Sequence, residues 1–343
     1  MKLLTFQSLT KNIIAGMLLL AVTVVVCLFI GSKDISMANV YAGITGSDAG
    51  NADYTILFKI RLPRCILAAI VGASLAVSGA VLQALLRNPL ADPYILGISS
   101  GAGLGAMLAA ITGLQISVMG ISTMGLFAFI GAIGTVWLVW WIGIMAGSRQ
   151  LTSLLLAGVV VNSFFSAVIM FLTSVMDSSS LQTTMLWLMG NMRDSGSGDI
   201  VLSVICLAGA MAVLYRLSPQ LNILSFGHDD AQTMGVNVAF VRLVSFATAA
   251  FITSVAVSLS GLIGFIGLII PHAVRLLCGP DHRQLLPICG ISGAIFLVVC
   301  DTFARTVIAP QQVPVGIITA ITGGPFFLIL LVKYSRKVSM GSK

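Results

Sequence analysis

The chain has 343 residues, of which 58% are hydrophobic and only 8% are charged, and its 11 acidic residues are all aspartates. A soluble domain of this length needs far more surface charge, so the composition excludes the soluble classes and indicates a membrane protein. The net charge of +7 does not indicate nucleic-acid binding, because the Lys and Arg residues stand singly between apolar runs rather than in a basic stripe.

Apolar runs of about 17 residues or more, long enough to cross a bilayer, predict about ten membrane spans. In chain order these runs are 13–30, 62–86, 95–111, 118–146, 151–172, 200–217, 238–258, 262–279, 286–304 and 314–333. The first run follows Lys2 and Lys11, as in a signal peptide, but its apolar core is longer than usual and favours an uncleaved span. The sequence therefore predicts an all-α polytopic membrane protein with one transmembrane domain over residues 1–343.

The distribution of basic residues predicts the orientation of the spans. With the N-terminus inside, twelve of the 18 Lys and Arg residues fall on the cytoplasmic side and six fall outside. This inside-positive bias predicts that both termini are cytoplasmic and that the number of spans is even. The longest hydrophilic stretches are then 31–60 and 173–199 outside and 217–237 inside. A cytoplasmic partner would act on the last of these stretches.

The chain has no visible energy source of its own. No Gly-Lys pair occurs in the sequence to begin a Walker A loop, so any ATP hydrolysis must take place on another polypeptide. An ion-coupled carrier usually holds charged groups within its spans. Here nearly all of the 11 aspartates fall in loops, and the exception is Asp301, which lies near a span end together with Arg305. Their i,i+4 spacing also fits a local ion pair on one helix face. An ion-coupled secondary transporter or channel is therefore the alternative function, and a membrane scaffold is a third.

The histidines and cysteines do not indicate a metal or catalytic site. The three histidines, His228, His272 and His282, are scattered and form no His-x-x-x-His pair. His272 follows Pro271, and we expect it to lie at a helix kink. The six cysteines have no C-x-x-C spacing, and we expect them to pack as small apolar side chains.

Four motifs in a fixed order carry a specific resemblance. They are R-L-P-R at 61–64, N-P-L-A-D-P at 88–93, H-D-D-A-Q-T-M-G-V at 228–236 and G-F-I-G-L-I-I-P-H at 264–272. Together with about ten spans, this set resembles the permease subunits of the iron-siderophore, haem and vitamin B12 importers, the type II ABC import family. The resemblance covers the chain from about residue 55 to 333.

The resemblance implies a type II ABC importer permease fold in the bacterial cytoplasmic (inner) membrane. It implies a second copy of the permease, two cytoplasmic ATPase subunits that bind ATP and Mg, and an extracytoplasmic substrate-binding protein. We expect no cofactor in this chain and no nucleic-acid partner. The implied cargo is a large metal chelate. A ferric siderophore comes before haem or cobalamin, because ferric siderophore importers are the most numerous of the resembling proteins.

The inner loop carries the motif with the clearest mechanical meaning. Asp229, Asp230, Ala231 and Gly235 resemble the E-A-A-x-x-x-G loop of ABC import permeases, with Asp in place of the more usual Glu. A short helix that ends at a glycine in a left-handed conformation makes a compact knob. In the resembling family such a knob sits in a cleft of the ATPase subunit and transmits its closure. The alternative is a solvated turn without a special role.

A cytoplasmic gate is implied at the second motif. The prolines of N-P-L-A-D-P force a sharp turn at the inner end of the second span. In the resembling family this turn and the turn before the fifth span form the inner gate, which corresponds to Asn88 and Leu90 together with Thr152 and Ser153. The alternative is an ordinary turn between helices.

Three outer arginines correspond to a docking surface in the resembling family. Arg61 and Arg64 begin the second span and Arg305 ends the ninth, so all three oppose the inside-positive bias. The family uses such arginines to meet acidic side chains of the substrate-binding protein. Exposed ion pairs contribute only about 0–1 kcal/mol each, so their main effect would be orientation and association rate. The alternative is that these side chains snorkel towards lipid phosphates.

The fifth and tenth spans correspond to the translocation path, at the interface of two permease subunits. Their small polar residues are Asn162, Ser163 and Ser166 in the fifth span and Thr319 and Thr322 in the tenth. The lack of charge along these spans fits a wide path that binds a large ligand weakly, so that specificity would reside in the binding protein. Small hydroxyl residues also pack helices closely, which is the alternative for each one.

Overall fold

The computed structural model describes residues 6–45, 52–114, 117–118, 121–145, 151–192 and 197–341. The first half of the described chain consists of α1 (Phe6–Phe29), α2 (Met37–Ile44), α3 (Ala52–Thr55), a π-helical segment (Ile56–Arg61), α4 (Leu62–Leu86), a 3-10 turn (Pro93–Leu96), α5 (Ile98–Thr112), β1 (Ser117–Val118), β2 (Ile121–Ser122) and α6 (Thr123–Met145). The second half consists of α7 (Leu151–Val175), α8 (Ser178–Leu188), α9 (Ser197–Arg216), α10 (Ser218–Leu224), α11 (His228–Thr233), α12 (Val238–Ser260), α13 (Ile266–Cys278), α14 (His282–Thr306) and α15 (Val315–Gly341).

The all-α polytopic prediction is confirmed. Seven helical stretches are long and apolar enough to cross a membrane, and three shorter apolar helices, Ile98–Thr112, Ile266–Cys278 and Val315–Ile329, join them within the described ranges. These ten overlap the ten predicted apolar runs. The two short strands pair as an antiparallel hairpin with Ser117 opposite Ser122, so the fourth predicted run becomes helical only at Thr123.

All three of the long hydrophilic stretches contain helices, and the outer stretch 31–60 holds α2 and α3. The outer stretch 173–199 holds α8, whose first turn is capped by the Asp177 carboxylate, which accepts a hydrogen bond from the Ser180 N–H. The inner stretch 217–237 holds both α10 and α11. Four of the cations used to orient the chain, Lys2, Arg149, Arg193 and Lys343, lie outside the described residues.

Helix α4 is the centre of the bundle. In its most apolar window 89% of the residues are buried, against 6% for α1, so α4 is a core helix and α1 a peripheral one. Glycines allow this packing: a Cβ on Gly72 would overlap the Gly293 carbonyl of α14, and one on Gly79 would overlap the Gly267 carbonyl of α13. Backbones of membrane helices approach this closely only where side chains are absent.

The remaining helices surround α4 in two groups. Helices α12, α13 and α14 pack directly against it, whereas α5, α6 and α7 pack mainly against one another, and α12 contacts both groups. Helix α7 is largely uncovered, since only 17% of its most apolar window is buried. Its exposed apolar side chains include Leu156, Val160, Phe164 and Phe171. This face is available for lipid or for another subunit.

Polar contacts mark the two ends of the bundle. Arg64 at the start of α4 binds Asp301 near the end of α14, so these two helices run antiparallel. At the opposite end of α4, Gln83 meets Arg275 near the end of α13. The predicted orientation makes the first end the outer one and the second the cytoplasmic one.

Candidate functional site

The loop that is predicted to be cytoplasmic folds into a compact knob around α11. The N–H of Val236 donates to the Ala231 carbonyl at 3.0 Å, and the N–H of Gly235 donates to the Gln232 carbonyl at 2.9 Å. This pair of bonds is the Schellman arrangement, which needs a left-handed residue after the helix. Gly235 supplies it with φ +81°. The predicted helix that ends at a left-handed glycine is therefore confirmed.

The knob has a buried side and an exposed side. Ala231 is fully buried, whereas Asp229 and Asp230 are exposed. Two large apolar side chains beside them are also uncovered, since Phe226 is 74% exposed and Met234 is 63% exposed. An acidic turn flanked by exposed apolar side chains is typical of a surface that another protein covers.

Helix α10 attaches this knob to the rest of the bundle. Leu221 and Leu224 are buried in the core, and the Asn222 side chain reaches the start of α14. Its Nδ2 donates to Asp281 Oδ1 at 2.8 Å, and its Oδ1 accepts from the His282 N–H at 2.8 Å. Asn222 was missed by the sequence analysis, because a polar residue in a hydrophilic loop carries no signal of a contact 60 positions away.

The predicted gate segment is held by two side-chain caps. Helix α4 ends at Arg87, which takes a left-handed φ of +47°. The N–H of Leu90 then donates to Asn88 Oδ1 at 2.9 Å, and the N–H of Tyr94 donates to Asp92 Oδ1 at 2.8 Å. Leu90 itself is 41% exposed. The segment is therefore a fixed turn that presents an apolar side chain.

Burial raises the pKa of the Asp92 carboxyl to about 6, and its hydrogen bond from the Tyr94 N–H lowers it by less. Loss of water around a carboxylate disfavours its charged form. The carboxyl of Asp92 therefore becomes charged at a higher pH than an ordinary aspartate does, at the turn that the resemblance assigns to the gate.

Gln83 connects this turn, through the Ala91 carbonyl at 3.5 Å, to the part of α13 that contains Pro271. Its Nε2 donates to the carbonyls of Gly267 at 3.3 Å and Leu268 at 3.2 Å, and its Oε1 accepts from Arg275 Nη1 at 3.1 Å. Pro271 has no N–H to donate to the Gly267 carbonyl four residues earlier, so the glutamine supplies the missing donor. In the sequence, Gln83 is recognisable as an amide side chain inside an otherwise apolar predicted span.

The second half of the predicted gate lies at the start of α7. Ser153 is half-buried in its first turn, and the side chain of Thr152 lies outside the described part of the chain. Helix α7 packs against the 3-10 turn that follows the gate segment. A Cβ on Gly158 would crowd the Ile95 carbonyl, so the two segments approach each other through backbone at this glycine.

The three outer arginines are engaged inside the chain. Asp301 is fully buried and binds both Arg64, through Nε at 3.0 Å, and Arg305, through Nε at 3.0 Å. Arg64 Nη1 also donates to Gln312 Oε1 at 2.7 Å. The expected i,i+4 ion pair between Asp301 and Arg305 is confirmed, with Arg64 as an additional partner.

Arg61 caps a helix instead of facing outwards. Its guanidinium donates to the Leu28 and Phe29 carbonyls at the end of α1 and to the Lys33 carbonyl at 2.7 Å. Only 5% of Arg61 and 8% of Arg305 is exposed, so docking of a second protein through either would require them to move. Arg64 keeps 16% of its side chain exposed. The prediction of a docking role for these arginines stays a prediction.

Part of the outer segment 31–60 is held by a second buried carboxylate. Asp53 accepts hydrogen bonds from Lys33 Nζ at 2.9 Å, from Asn39 Nδ2 at 2.8 Å and from the Ser36 N–H at 3.3 Å. Together with the Arg61 cap, these bonds fasten the connection between α1 and α4.

The predicted path residues do not share one environment. Ser163 and Thr322 are exposed and Asn162 and Ser166 are half-buried, whereas Thr319 is fully buried. The hydroxyl of Thr319 donates to the Gly316 carbonyl at 3.0 Å, so this residue packs within the subunit. Its assignment to the path wall stays a prediction, as do those of the other four residues.

The described residues contain no group of three or more His, Cys or Asp side chains placed to hold a metal ion. The six cysteines are free thiols, and four of them, Cys27, Cys65, Cys289 and Cys300, are buried. Packing as small apolar side chains accounts for these four.

Comparisons with known proteins agree with this geometry. The sequence model of the FecCD transport family matches residues 18–333. The cobalamin import system permease protein BtuC of Halobacterium salinarum is 46% identical over 80% of this chain and 73% of its own length. The hemin transport system permease protein HmuU of Yersinia pestis is 35% identical over 92% of this chain and 94% of its own. A solved inward-facing ABC transporter, assigned to the metal-chelate type, superposes with a TM-score of 0.82 at 32% identity and covers 94% of this chain and 99% of its own.

Proposed function

The chain belongs to the FecCD transport family, and we propose that it is the membrane-spanning subunit of an ABC importer that carries a large metal chelate inwards. The knob of the cytoplasmic loop carries this proposal. It closes on Gly235 with the geometry that a protruding short helix needs. It also presents Asp229 and Asp230 beside uncovered apolar side chains at the cytoplasmic end of the bundle.

The partners of the knob are two cytoplasmic ATPase subunits. ATP and Mg²⁺ bind on those subunits, and this chain supplies no cofactor site of its own. Closure of the ATPase pair moves the knobs, and the bundle responds by changing which side of the membrane its path is open to. The exposed apolar residues Phe226 and Met234 would be covered in that complex.

A second copy of this chain covers the open face of α7. The face is apolar over most of its length, and small polar side chains, Asn162, Ser163 and Ser166, interrupt it. With Thr322 of α15, these residues would line a weakly binding path between two copies. At the cytoplasmic end of that path Asn88, Leu90, Thr152 and Ser153 form the gate.

An extracytoplasmic binding protein delivers the cargo to the outer end. Arg64 is the predicted docking residue that is already partly exposed, while Arg61 and Arg305 would join it only after rearrangement. The protein lies in a bacterial cytoplasmic (inner) membrane, with both termini in the cytoplasm.

The cargo is a metal chelate of the size of a ferric siderophore, haem or cobalamin. The ferric siderophore is our first choice from the sequence. The relative at 46% identity is named for cobalamin import, which makes cobalamin the principal competitor. An isothermal binding assay of the partner binding protein with a ferric hydroxamate, hemin and cobalamin identifies the cargo, because specificity resides in that protein.

Assembly tests the proposed class. The chain is tagged and expressed with the ATPase and binding protein encoded beside it, and the purified complex is weighed by native mass spectrometry. We expect two permeases with two ATPase subunits, and ATP hydrolysis that the loaded binding protein stimulates. A permease that purifies alone and takes up cargo on an ion gradient would support the secondary transporter instead.

A further inference from the structure

We infer that Asn222 couples the ATPase-facing knob to α14, so that ATP-driven displacement of the knob pulls the cytoplasmic end of that helix. The inference rests on the proposed function, because it names the route by which the knob acts on the bundle. It concerns a positioning residue that contacts neither ATP nor cargo.

The contact uses both the nitrogen and the oxygen of one side-chain amide. Asn222 Nδ2 donates to Asp281 Oδ1 at 2.8 Å. Asn222 Oδ1 accepts from the His282 N–H at 2.8 Å and lies 2.7 Å from His282 Nδ1. Two hydrogen bonds and a close contact with the His282 ring therefore join α10 to the start of α14.

The contact lies at the start of α14, where it satisfies a backbone N–H of that helix. The first N–H groups of a helix have no partner inside the helix and need an acceptor from elsewhere. Asp281 caps α14 at the Arg283 N–H, but the acceptor for the His282 N–H comes from another helix, through Asn222. The start of α14 is thus completed by α10 and cannot move away from it without losing hydrogen bonds.

Both sides of the contact are held by further contacts. On one side Leu221 and Leu224 fix α10 in the core, and α10 packs against α11 of the knob. On the other side, Asp281 is held by the Arg283 guanidinium, whose Nη2 lies 2.6 Å from Asp281 Oδ2. A displacement of the knob is therefore passed on to α14 rather than absorbed in a loop.

Helix α14 continues to the outer end of the bundle. It has 25 residues, which at about 1.5 Å per residue spans the membrane. Near its far end Asp301 binds Arg64 and Arg305. One helix therefore connects the loop that meets the ATPase with the cluster that contains the partly exposed Arg64.

A neighbouring asparagine provides a matched control. Asn237 also lies on the cytoplasmic side, but its Oδ1 accepts from the Phe240 N–H of its own helix. Replacing Asn237 by Ala removes a helix cap without detaching α10 from α14. A cap of this kind contributes about 1 kcal/mol, similar to what loss of an ordinary hydrogen bond costs.

The test measures uptake and ATP hydrolysis by the complete importer in proteoliposomes, with cobalamin, hemin and a ferric hydroxamate as probes. We expect Asn222→Ala to lower the cargo moved per ATP, and the stimulation of hydrolysis by the binding protein, by about fivefold or more. Basal hydrolysis, and copurification with the ATPase, should stay near wild type. Asn237→Ala should leave the ratio unchanged.

A charge exchange separates coupling from stability. Asn222→Asp places a carboxylate against Asp281 and should uncouple the importer, while Asp281→Asn in that background restores a donor to the contact and should recover the ratio. The inference is overturned if Asn222→Ala keeps the wild-type ratio, or if the double exchange restores thermal stability without the ratio. If the wild-type complex shows no ATP-dependent uptake of any probe, the proposed function fails first, and the inference fails with it.

Discussion

Arg64 and Asp301, 237 positions apart in the chain, form a buried ion pair that joins the start of α4 to the end of α14. Asp301 is shared, because Arg305 Nε also binds its Oδ2 at 3.0 Å. One carboxylate thus holds two guanidinium groups in a place where neither could be left unpaired. The cluster fixes the outer end of the two most central antiparallel helices.

Replacement of Asp301 by Asn should destabilise the permease by about 3 kcal/mol, because the buried Arg305 and the partly buried Arg64 lose their counter-charge. We expect the midpoint of thermal unfolding in detergent to fall by several degrees. Asp34→Asn is the matched control, since Asp34 is exposed at the same outer end and should leave the midpoint unchanged. Equal midpoints for wild type and Asp301→Asn would show that the cluster does not hold the bundle.

Replacement of Gly235 by Ala tests the knob. No atom would lie within 4 Å of the new Cβ, so the effect is conformational and not steric. A left-handed φ costs an L-residue about 1–2 kcal/mol, which should shift the knob and reduce ATPase stimulation by the binding protein. Gly209→Ala adds a Cβ to an equally open position inside α9 and should have no effect. Full stimulation in Gly235→Ala would mean that the left-handed turn is dispensable.

Replacement of Gln83 by Met should cost about 1–3 kcal/mol, because the Gly267 carbonyl loses its donor inside the protein. The reason can be checked by a double-mutant cycle. Pro271→Ala restores a backbone N–H that can reach the same carbonyl, so Gln83→Met should be less damaging in that background. Additive losses of unfolding free energy would contradict the proposed exchange of donors.

The pKa of Asp92, raised to about 6, predicts a pH dependence of stability. A raised carboxyl pKa means that the folded protein binds its proton more tightly than the unfolded chain does. The contribution of Asp92 to the free energy of unfolding is therefore fully present below about pH 4 and is lost as the pH rises through about 6. Asp92→Asn keeps an oxygen acceptor for the Tyr94 N–H and should flatten this decline. Parallel stability curves for wild type and variant between pH 4 and 7 would refute the assignment.

The features that the sequence predicted correctly are those determined by residues near each other. Apolar runs placed the helices, the spacing from Asp229 to Gly235 predicted the knob, and the i,i+4 spacing of Asp301 and Arg305 predicted their pair. Helix propensity, capping and left-handed glycine are local effects.

The contacts that the sequence did not predict join distant positions. Asn222 reaches His282, Gln83 reaches Gly267, and Arg61 reaches the end of α1 33 positions away. Each of these polar side chains satisfies a backbone group that another helix left without a partner. Such a partner is determined by the packing of the bundle, so the docking role expected for Arg61 could not be weighed against its capping role from the sequence.

Uptake by proteoliposomes that contain this chain, its ATPase partner and the external binding protein separates an ATP-driven importer from an ion-coupled carrier. We expect a metal chelate to accumulate only with ATP and the binding protein together, and a proton or sodium gradient to have no effect. Accumulation driven by an ion gradient without ATP would contradict the proposed function.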